Sequence, residues 1–162
     1  FMSFYLLTAL AQTAGTPAAL AALRSYYGGM LDMGATTFWE DFHTEWMEGS
    51  SPIDRLPREG ERDIHGDFGG YCYRNFRHSL CHGWSSGPVP FLMETVLGIR
   101  FETPGGKRIR LTPSLGDLDW AEGTYPLPDG SVLSVRCERT ETGVRTTYTA
   151  PSDITVSVDD TY

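Results

Sequence analysis

Apolar residues dominate the first part of the chain and recur at the spacing of an α-helix. Residues 1–12 are apolar almost all round, which predicts a helix that is buried on most sides. Gly15 suits the position that ends this helix, and Thr16-Pro17 suits the start of a second one. The second helix ends at Gly34 and has its apolar positions at helical spacing, at Leu20, Leu23, Tyr27 and Met30. Because one helical hairpin cannot bury a helix that is apolar all round, we expect further helices around it.

A long connection without helical or strand periodicity follows at residues 43–78. Connections of this length within a compact chain are usually functional or disordered, so a lid, a cleft wall and a poorly ordered insertion all stay open. Ser85 or Ser86 then suits the cap of another helix, whose first turn tolerates the two prolines that follow. Gly98 is placed to end that helix.

From Ile99 onward apolar and polar residues alternate, which is the period of a β-strand. Turn signals at Pro128-Asp129-Gly130 and Glu141-Thr142-Gly143 separate the alternating segments. Three segments each place their apolar residues on one face: Leu133, Val135 and Cys137; Val144, Thr146 and Tyr148; Ile154, Val156 and Val158. The pattern predicts an antiparallel meander of about five short strands. We therefore predict an α+β chain with a helical domain at residues 1–98 and a β-domain at residues 99–162.

Composition limits the possible partners. The 162 residues are 40% hydrophobic, which is enough for a core, and carry a formal charge of -8. This charge argues against nucleic acid or an anionic membrane as partner, whereas neutral ligands such as sugars are compatible with it. No signal peptide pattern is visible, so cytoplasmic, periplasmic and secreted locations all stay open. The chain starts within an apolar pattern, from which we expect a fragment of a longer protein.

The three cysteines do not have the spacing of a metal site, and no cofactor motif is present. Cys72 and Cys81 are close enough in sequence to form a disulfide in an oxidising compartment. The alternative, which the sequence favours, is that these cysteines are buried free thiols.

The candidate chemistry lies in the stretch Gly34-Ala-Thr-Thr-Phe-Trp-Glu-Asp-Phe42, which places two carboxylates among large aromatic rings. Such rings desolvate a neighbouring carboxylate and favour its protonated form. An indole beside a carboxylate also suits a sugar ring, which needs a flat apolar surface and a hydroxyl acceptor. The alternative is that Trp39 anchors the core and Glu40 is an ordinary surface acid. A second stretch, Ser79-Leu-Cys-His-Gly-Trp-Ser-Ser-Gly-Pro88, places His82 and Trp84 just before a helix.

Taken together, these two stretches resemble the C-terminal portion of bacterial α-L-rhamnosidases, glycoside hydrolase family 78. They stand about 40 residues apart and are followed by Leu115-Gly-Asp-Leu-Asp-Trp-Ala-Glu-Gly123 and Pro126-Leu-Pro-Asp-Gly130. The resemblance runs from about Tyr26 to Val135. It implies that residues 1–98 supply the last helices of an (α/α)6 barrel and that a small antiparallel β-sandwich follows.

The resemblance also implies a reaction, the release of terminal α-L-rhamnose with inversion of configuration. Inversion needs a carboxylic acid and a carboxylate base on opposite faces of the sugar, roughly 6.5–9.5 Å apart. Glu40 matches the family's general base, whereas the general acid belongs to an earlier part of the barrel that this sequence lacks. His82 matches a histidine of the sugar pocket. We add Trp39 and Trp84 as walls or supports of the pocket, with a supporting place behind Glu40 as the alternative for Trp39.

The expected partners are a rhamnose-containing glycoside or polysaccharide and the missing N-terminal part of the same enzyme. Without that part we expect the chain to be inactive. One alternative is an inverting glycosidase of the same barrel type that acts on another sugar. Another is a carbohydrate-binding or structural module without chemistry, whose sheet would present Trp120, Tyr125 or Tyr148 as an aromatic platform.

Overall fold

The computed structural model describes residues 2–48, 58 and 79–159. Helix α1 spans Ser3–Ala14, and Gly15, at a φ of 89°, ends it where the sequence predicts. Helix α2 spans Thr16–Leu23 and continues through a π-helical turn at Arg24–Gly28 into α3, Gly29–Asp32. Gly34, at a φ of 90°, follows the last turn, so the predicted end of the second helical segment is confirmed.

Helix α1 departs from the prediction that it is buried on most sides. Leu7 is its one buried residue, and Tyr5 and Leu6 are each 60% exposed. The apolar pattern correctly predicted a helix, but burial also requires neighbouring elements that cover every side. An exposed apolar surface of this kind is typical of a face that contacts another protein element.

The last helical segment also follows the prediction. Helix α4 spans Pro88–Phe91 and continues through a π-helical turn at Leu92–Val96. Gly98 ends it at a φ of 71°, and a Cβ at this position would lie 2.1 Å from the backbone carbon of Thr112. A glycine is therefore required here both by the left-handed backbone and by the close approach of the backbone at Thr112.

The described residues contain six strands: Ile99–Phe101 (β1), Arg108–Leu111 (β2), Trp120–Pro126 (β3), Val132–Thr140 (β4), Gly143–Thr149 (β5) and Thr155–Val158 (β6). They form two three-stranded sheets. The first sheet has the order β1-β2-β6, and the second is a meander with the order β3-β4-β5. Leu133, Val135 and Cys137 are buried on one face of β4, as the alternation predicted. The two predicted turns connect β3 to β4 and β4 to β5.

One strand pairing corrects the prediction of a purely antiparallel domain. Strands β2 and β6 are parallel, with Ile109 opposite Val156, while β1–β2, β3–β4 and β4–β5 are antiparallel. Alternation determines which face of a strand is buried, but it carries no information on the direction of the neighbouring strand. In the part of the chain that the structure describes, the β-region is thus mostly antiparallel and has six strands, close to the predicted five.

The described residues divide into two compact units. The first unit takes its residues from Phe1–Phe4 and Ala21–Pro88, and the second from Tyr5–Leu20 and Val89–Tyr162. Strand β1 begins at Ile99, where the sequence period changes. The assignment of residues 1–98 and 99–162 to two domains stays a prediction.

Most of the long connection at residues 43–78, including Cys72, lies outside the described residues. Its start contains a short 3-10 helix at Thr44–Met47. Cys81 is an exposed free thiol, and Cys137 is a buried free thiol whose pKa is raised by burial. Among the helices that the structure describes, none has the length and apolar character needed to span a membrane.

Candidate active site

The two motif stretches lie side by side in the first unit. The backbone N–H of Glu40 donates to the carbonyl of Ser79 at 2.8 Å, and the N–H of His82 donates to the carbonyl of Phe38 at 2.7 Å. The Thr37 hydroxyl donates to the carbonyl of Leu80. Residues about 40 positions apart in sequence are therefore held together by an almost continuous ladder of hydrogen bonds.

The Glu40 side chain is held by the second stretch. Its Oε2 accepts a hydrogen bond of 2.9 Å from the backbone N–H of Ser79. The indole Nε1 of Trp84 donates to the backbone carbonyl of Glu40 at 2.7 Å. Glu40 is partly buried, so its carboxyl group is restrained at both the backbone and the side chain but is not enclosed in the core.

Trp39 lies behind Glu40 in the core. Its side chain is 0% exposed and belongs to a buried cluster that also contains Tyr27, Met30, Ala35 and Phe42. The rings of Trp39 and Phe42 meet edge to face with centroids 5.9 Å apart. The carbonyl of Trp39 accepts a hydrogen bond from the Ser85 hydroxyl, so the core residue is also tied to the second stretch. Of the two alternatives for Trp39, this burial favours the supporting place behind Glu40.

Two tyrosines, Tyr26 and Tyr27, also contact the two motif stretches from the helical segment. The Tyr27 hydroxyl donates to the carbonyl of Ser85 at 3.0 Å, which connects the helical segment to the turn before α4. The Tyr26 ring packs edge to face against Phe42, with centroids 5.3 Å apart. Burial, together with the nearby Asp41 carboxylate, raises the pKa of Tyr26 to about 12. Tyr26 is therefore protonated and neutral at neutral pH.

His82 and Trp84 form the more accessible part of this region. The His82 ring is partly buried and lies 4.4 Å from the Trp84 ring, centroid to centroid, with the two planes tilted by 52°. The Trp84 side chain is 50% exposed, although its Nε1 is already hydrogen-bonded to Glu40. Trp84 thus combines an accessible ring face with a contact that positions the Glu40 backbone.

The structure brings all four predicted site residues, Glu40, His82, Trp39 and Trp84, into one region of the first unit. It also reveals two partners that the sequence reasoning missed, the backbone N–H of Ser79 and the hydroxyl of Ser85. A backbone donor leaves no side-chain signal in a sequence, and a serine before a helix suggests a cap first. Within the described ranges, no cluster of three or more histidine, cysteine or acidic side chains has the arrangement of a metal site.

This arrangement can orient one carboxylate beside an accessible imidazole–indole pair. It offers a proton acceptor, a flat apolar surface and a polar ring, which suits a neutral ligand rich in hydroxyl groups. Asp41, the neighbouring carboxylate, accepts a hydrogen bond from the N–H of Phe42 at 2.8 Å. The two adjacent acids therefore have different partners, Glu40 in the second stretch and Asp41 within its own loop.

Comparison with known proteins finds similar solved structures but no match by sequence. No protein-family model and no curated protein matches the sequence. Among solved structures, a GH78 family rhamnosidase of Bacillus sp. GL1 matches with a TM-score of 0.72 and 29% identity over 98% of this chain. The match covers 14% of that enzyme.

Two further structures share the fold at lower identity. The α-L-rhamnosidase of Streptomyces avermitilis, solved in complex with L-rhamnose, matches 96% of this chain with a TM-score of 0.64 and 21% identity. The α-L-rhamnosidase of Dictyoglumus thermophilum matches 96% with a TM-score of 0.66 and 17% identity. This chain covers 14% and 15% of these enzymes, respectively. The resemblance to glycoside hydrolase family 78 is therefore confirmed, as a match of nearly the whole chain to a small part of an α-L-rhamnosidase.

Proposed function

We propose that this chain is part of an inverting glycoside hydrolase that releases terminal α-L-rhamnose, with Glu40 as its general base. The observation that carries the proposal is the hydrogen-bonded pairing of the two motif stretches, which holds the Glu40 carboxylate against Ser79 and next to Trp84. The likeness to a GH78 rhamnosidase at 29% identity supports it. The substrate is a rhamnose-containing glycoside or polysaccharide.

In the proposed reaction Glu40 removes a proton from a water molecule as its oxygen attacks the anomeric carbon. The bond from that carbon to the leaving oxygen breaks on the opposite face of the sugar, and a general acid protonates the leaving oxygen. That acid lies outside this chain, at a separation of roughly 6.5–9.5 Å from the base. The products are free rhamnose of inverted configuration and the alcohol of the aglycone, so all atoms are accounted for.

The neighbouring side chains have separate roles in this proposal. His82 binds a sugar hydroxyl, since an imidazole nitrogen can donate or accept a hydrogen bond. Trp84 offers its exposed ring as a wall of the pocket and positions Glu40 through its Nε1. Trp39 supports the loop from the core side, where its burial excludes contact with a sugar.

The larger architecture is a further part of the proposal. Residues 1–98 supply the last helices of an (α/α)6 barrel, and residues 99–162 form a β-sandwich domain. The exposed apolar residues of α1, Tyr5 and Leu6, support this because helices of a longer chain would cover them. The two small sheets supply the strands that a sandwich of two layers requires.

Product stereochemistry tests the proposal directly. We expect the longer enzyme to release β-L-rhamnose first from an aryl α-L-rhamnoside, because water attacks opposite the leaving group. Proton NMR during the first minutes resolves the two anomers before mutarotation equilibrates them. A panel of aryl glycosides of other sugars serves as the control for specificity. Initial release of the α-anomer, or preferred turnover of another sugar, would contradict the proposal.

A positioning role for Trp84 gives a second test. We expect Trp84→Phe in the longer enzyme to lower kcat roughly two- to tenfold, the value of one lost hydrogen bond, with KM nearly unchanged. Phenylalanine keeps a ring against His82 but cannot donate to the Glu40 carbonyl. Trp84→Ala removes both contacts and should raise KM as well. Kinetic constants of Trp84→Phe equal to those of the unchanged enzyme would show that the hydrogen bond has no separate role.

A further inference from the structure

The second unit presents an exposed polar surface on one face of the β3-β4-β5 sheet. Alternate residues of a strand lie on the same side, and the register therefore defines this surface, which we call the outer face. On β3 and β4 it comprises the pairs Trp120–Glu138, Glu122–Arg136 and Thr124–Ser134. Each of these three pairs continues across the sheet as a row with one residue of β5, namely Arg145, Thr147 and Thr149 in the same order. The opposite side of β4 is buried, so this sheet has one core side and one accessible side.

The charges of the outer face are paired with one another. Arg136 contacts Glu122 at 2.5 Å through Nη1 and Glu138 at 2.8 Å through Nη2. Arg145 forms an ion pair with the other carboxylate oxygen of Glu138. The two arginines therefore balance the two glutamates, and the face has no net charge. Donors and acceptors remain at fixed positions, because each charged group restrains its neighbours.

Trp120 provides an aromatic surface on the outer face, at the end of the row that also contains Glu138 and Arg145. Its side chain is 53% exposed, so more than half of this large apolar surface is accessible. The Arg136 guanidinium lies 4.9 Å from the indole centroid, so the ion-pair network also restrains the ring. Since a cation over the ring covers part of one face, the rest of the indole is available to a ligand.

Hydroxyl groups line the adjoining part of the face. Thr124, Ser134, Thr147 and Thr149 border a groove of about 470 Å³ that also includes Glu122 and Arg136. The Thr147 hydroxyl donates to the carbonyl of Arg136 at 3.4 Å, a weak bond that a ligand can replace. Trp120 lies next to this groove on the same face, across the Arg136 side chain. An open groove with many hydroxyls and an adjacent aromatic ring suits a ligand that is itself polar, neutral and extended.

We propose that the outer face of the β3-β4-β5 sheet is a binding site for a neutral oligosaccharide. A sugar ring has an apolar C–H face that stacks on Trp120 and hydroxyls that exchange hydrogen bonds with the threonines and the paired charges. An anionic polysaccharide would meet arginines that are already neutralised and glutamates that repel it. An apolar peptide would leave the polar groups of the groove without hydrogen bonds. The site does not depend on Glu40 and stands apart from the proposed reaction.

The test is a titration of the isotope-labelled 162-residue chain, followed by amide NMR spectra. The probes are four neutral hexasaccharides, built from β-glucose, β-xylose, α-mannose and α-rhamnose, and a hexagalacturonate as the anionic contrast. We expect at least one neutral probe to shift the amides of the outer face, around Thr124, Ser134 and Thr147. Shifts confined to other residues, or no shift with any neutral probe at millimolar concentration, would overturn the proposal.

Variants of matched chemistry separate this site from the candidate active site. Trp120→Ala should weaken binding about tenfold or more, as expected when a central aromatic contact is removed. Thr147→Val keeps the shape of the strand and should weaken binding roughly two- to tenfold, the value of one hydrogen bond. Leu31→Ala, at an exposed position of the first unit, should leave the affinity unchanged. If Trp120→Ala binds like the unchanged chain while its spectrum shows a folded sheet, the proposal is wrong.

Discussion

The 162-residue chain alone should release no detectable rhamnose from an aryl α-L-rhamnoside, whereas the longer enzyme should turn it over readily. The proposed function places the partner acid of Glu40 outside this chain, and a general acid or base contributes about 10²–10⁴-fold to the rate. The barrel walls of the proposed architecture would add to this loss, because they orient the sugar and exclude water. The measurement is the release of the aryl alcohol, followed by its absorbance, with both proteins at equal concentration.

Two controls make this result interpretable. Amide NMR spectra of the short chain should show dispersed signals, which establishes that inactivity does not come from unfolding. Addition of the separately produced upstream part should restore part of the activity if the two parts associate through the exposed apolar side of α1. Turnover by the short chain within tenfold of the longer enzyme would contradict the assignment of the general acid to the missing part.

Local features of the fold were predictable because they depend on neighbouring residues in sequence. Gly15, Gly34 and Gly98 were predicted to end helical segments, and each has the positive φ that only glycine adopts without strain. The turn at Pro128-Asp129-Gly130 follows from the same chemistry, with Asp129 accepting a hydrogen bond from the N–H of Ser131 at 3.0 Å. The alternation along β4 gave the buried face correctly because side chains of a strand alternate by geometry.

Features that depend on distant residues were not predictable in the same way. The parallel pairing of β2 and β6 joins segments that are separated by three other strands, and alternation is silent on direction. The exposure of α1 depends on which elements cover it, and within the described residues Tyr5 and Leu6 are left exposed. In both cases the sequence predicted the type of element correctly, whereas its neighbours depend on distant residues.

The candidate site, too, has a part that the sequence predicted and a part that only the structure reveals. The motifs predicted that Glu40, His82 and Trp84 act together, and the structure places the two stretches side by side. The contact that holds the carboxylate, however, comes from the backbone N–H of Ser79. Every residue except proline has such a donor, so no residue type identifies it in a sequence. Geometry therefore adds a physical distinction to the one that the motif made, because Glu40 accepts a hydrogen bond from Ser79 and Asp41 accepts one from Phe42.

That distinction leads to the sharpest mutational test. We expect Glu40→Gln in the longer enzyme to lower kcat by about 10²–10⁴-fold with a small change in KM, as for loss of a general base. Glutamine keeps an oxygen that accepts the hydrogen bond from Ser79, so the loop should keep its shape while the proton acceptor is lost. The measurement is steady-state turnover of an aryl α-L-rhamnoside, with thermal unfolding recorded for both proteins.

Asp41→Asn is the matched control, because it makes the same change of carboxylate to amide one residue further along. Its oxygen can still accept the hydrogen bond from the Phe42 N–H, and we expect kcat to change less than about tenfold. A large loss in Asp41→Asn together with near-normal activity in Glu40→Gln would contradict the proposal, because it would identify Asp41 as the general base. Equal losses in both would indicate that the loop responds to charge as a whole, since only a specific proton acceptor makes one of two adjacent acids indispensable.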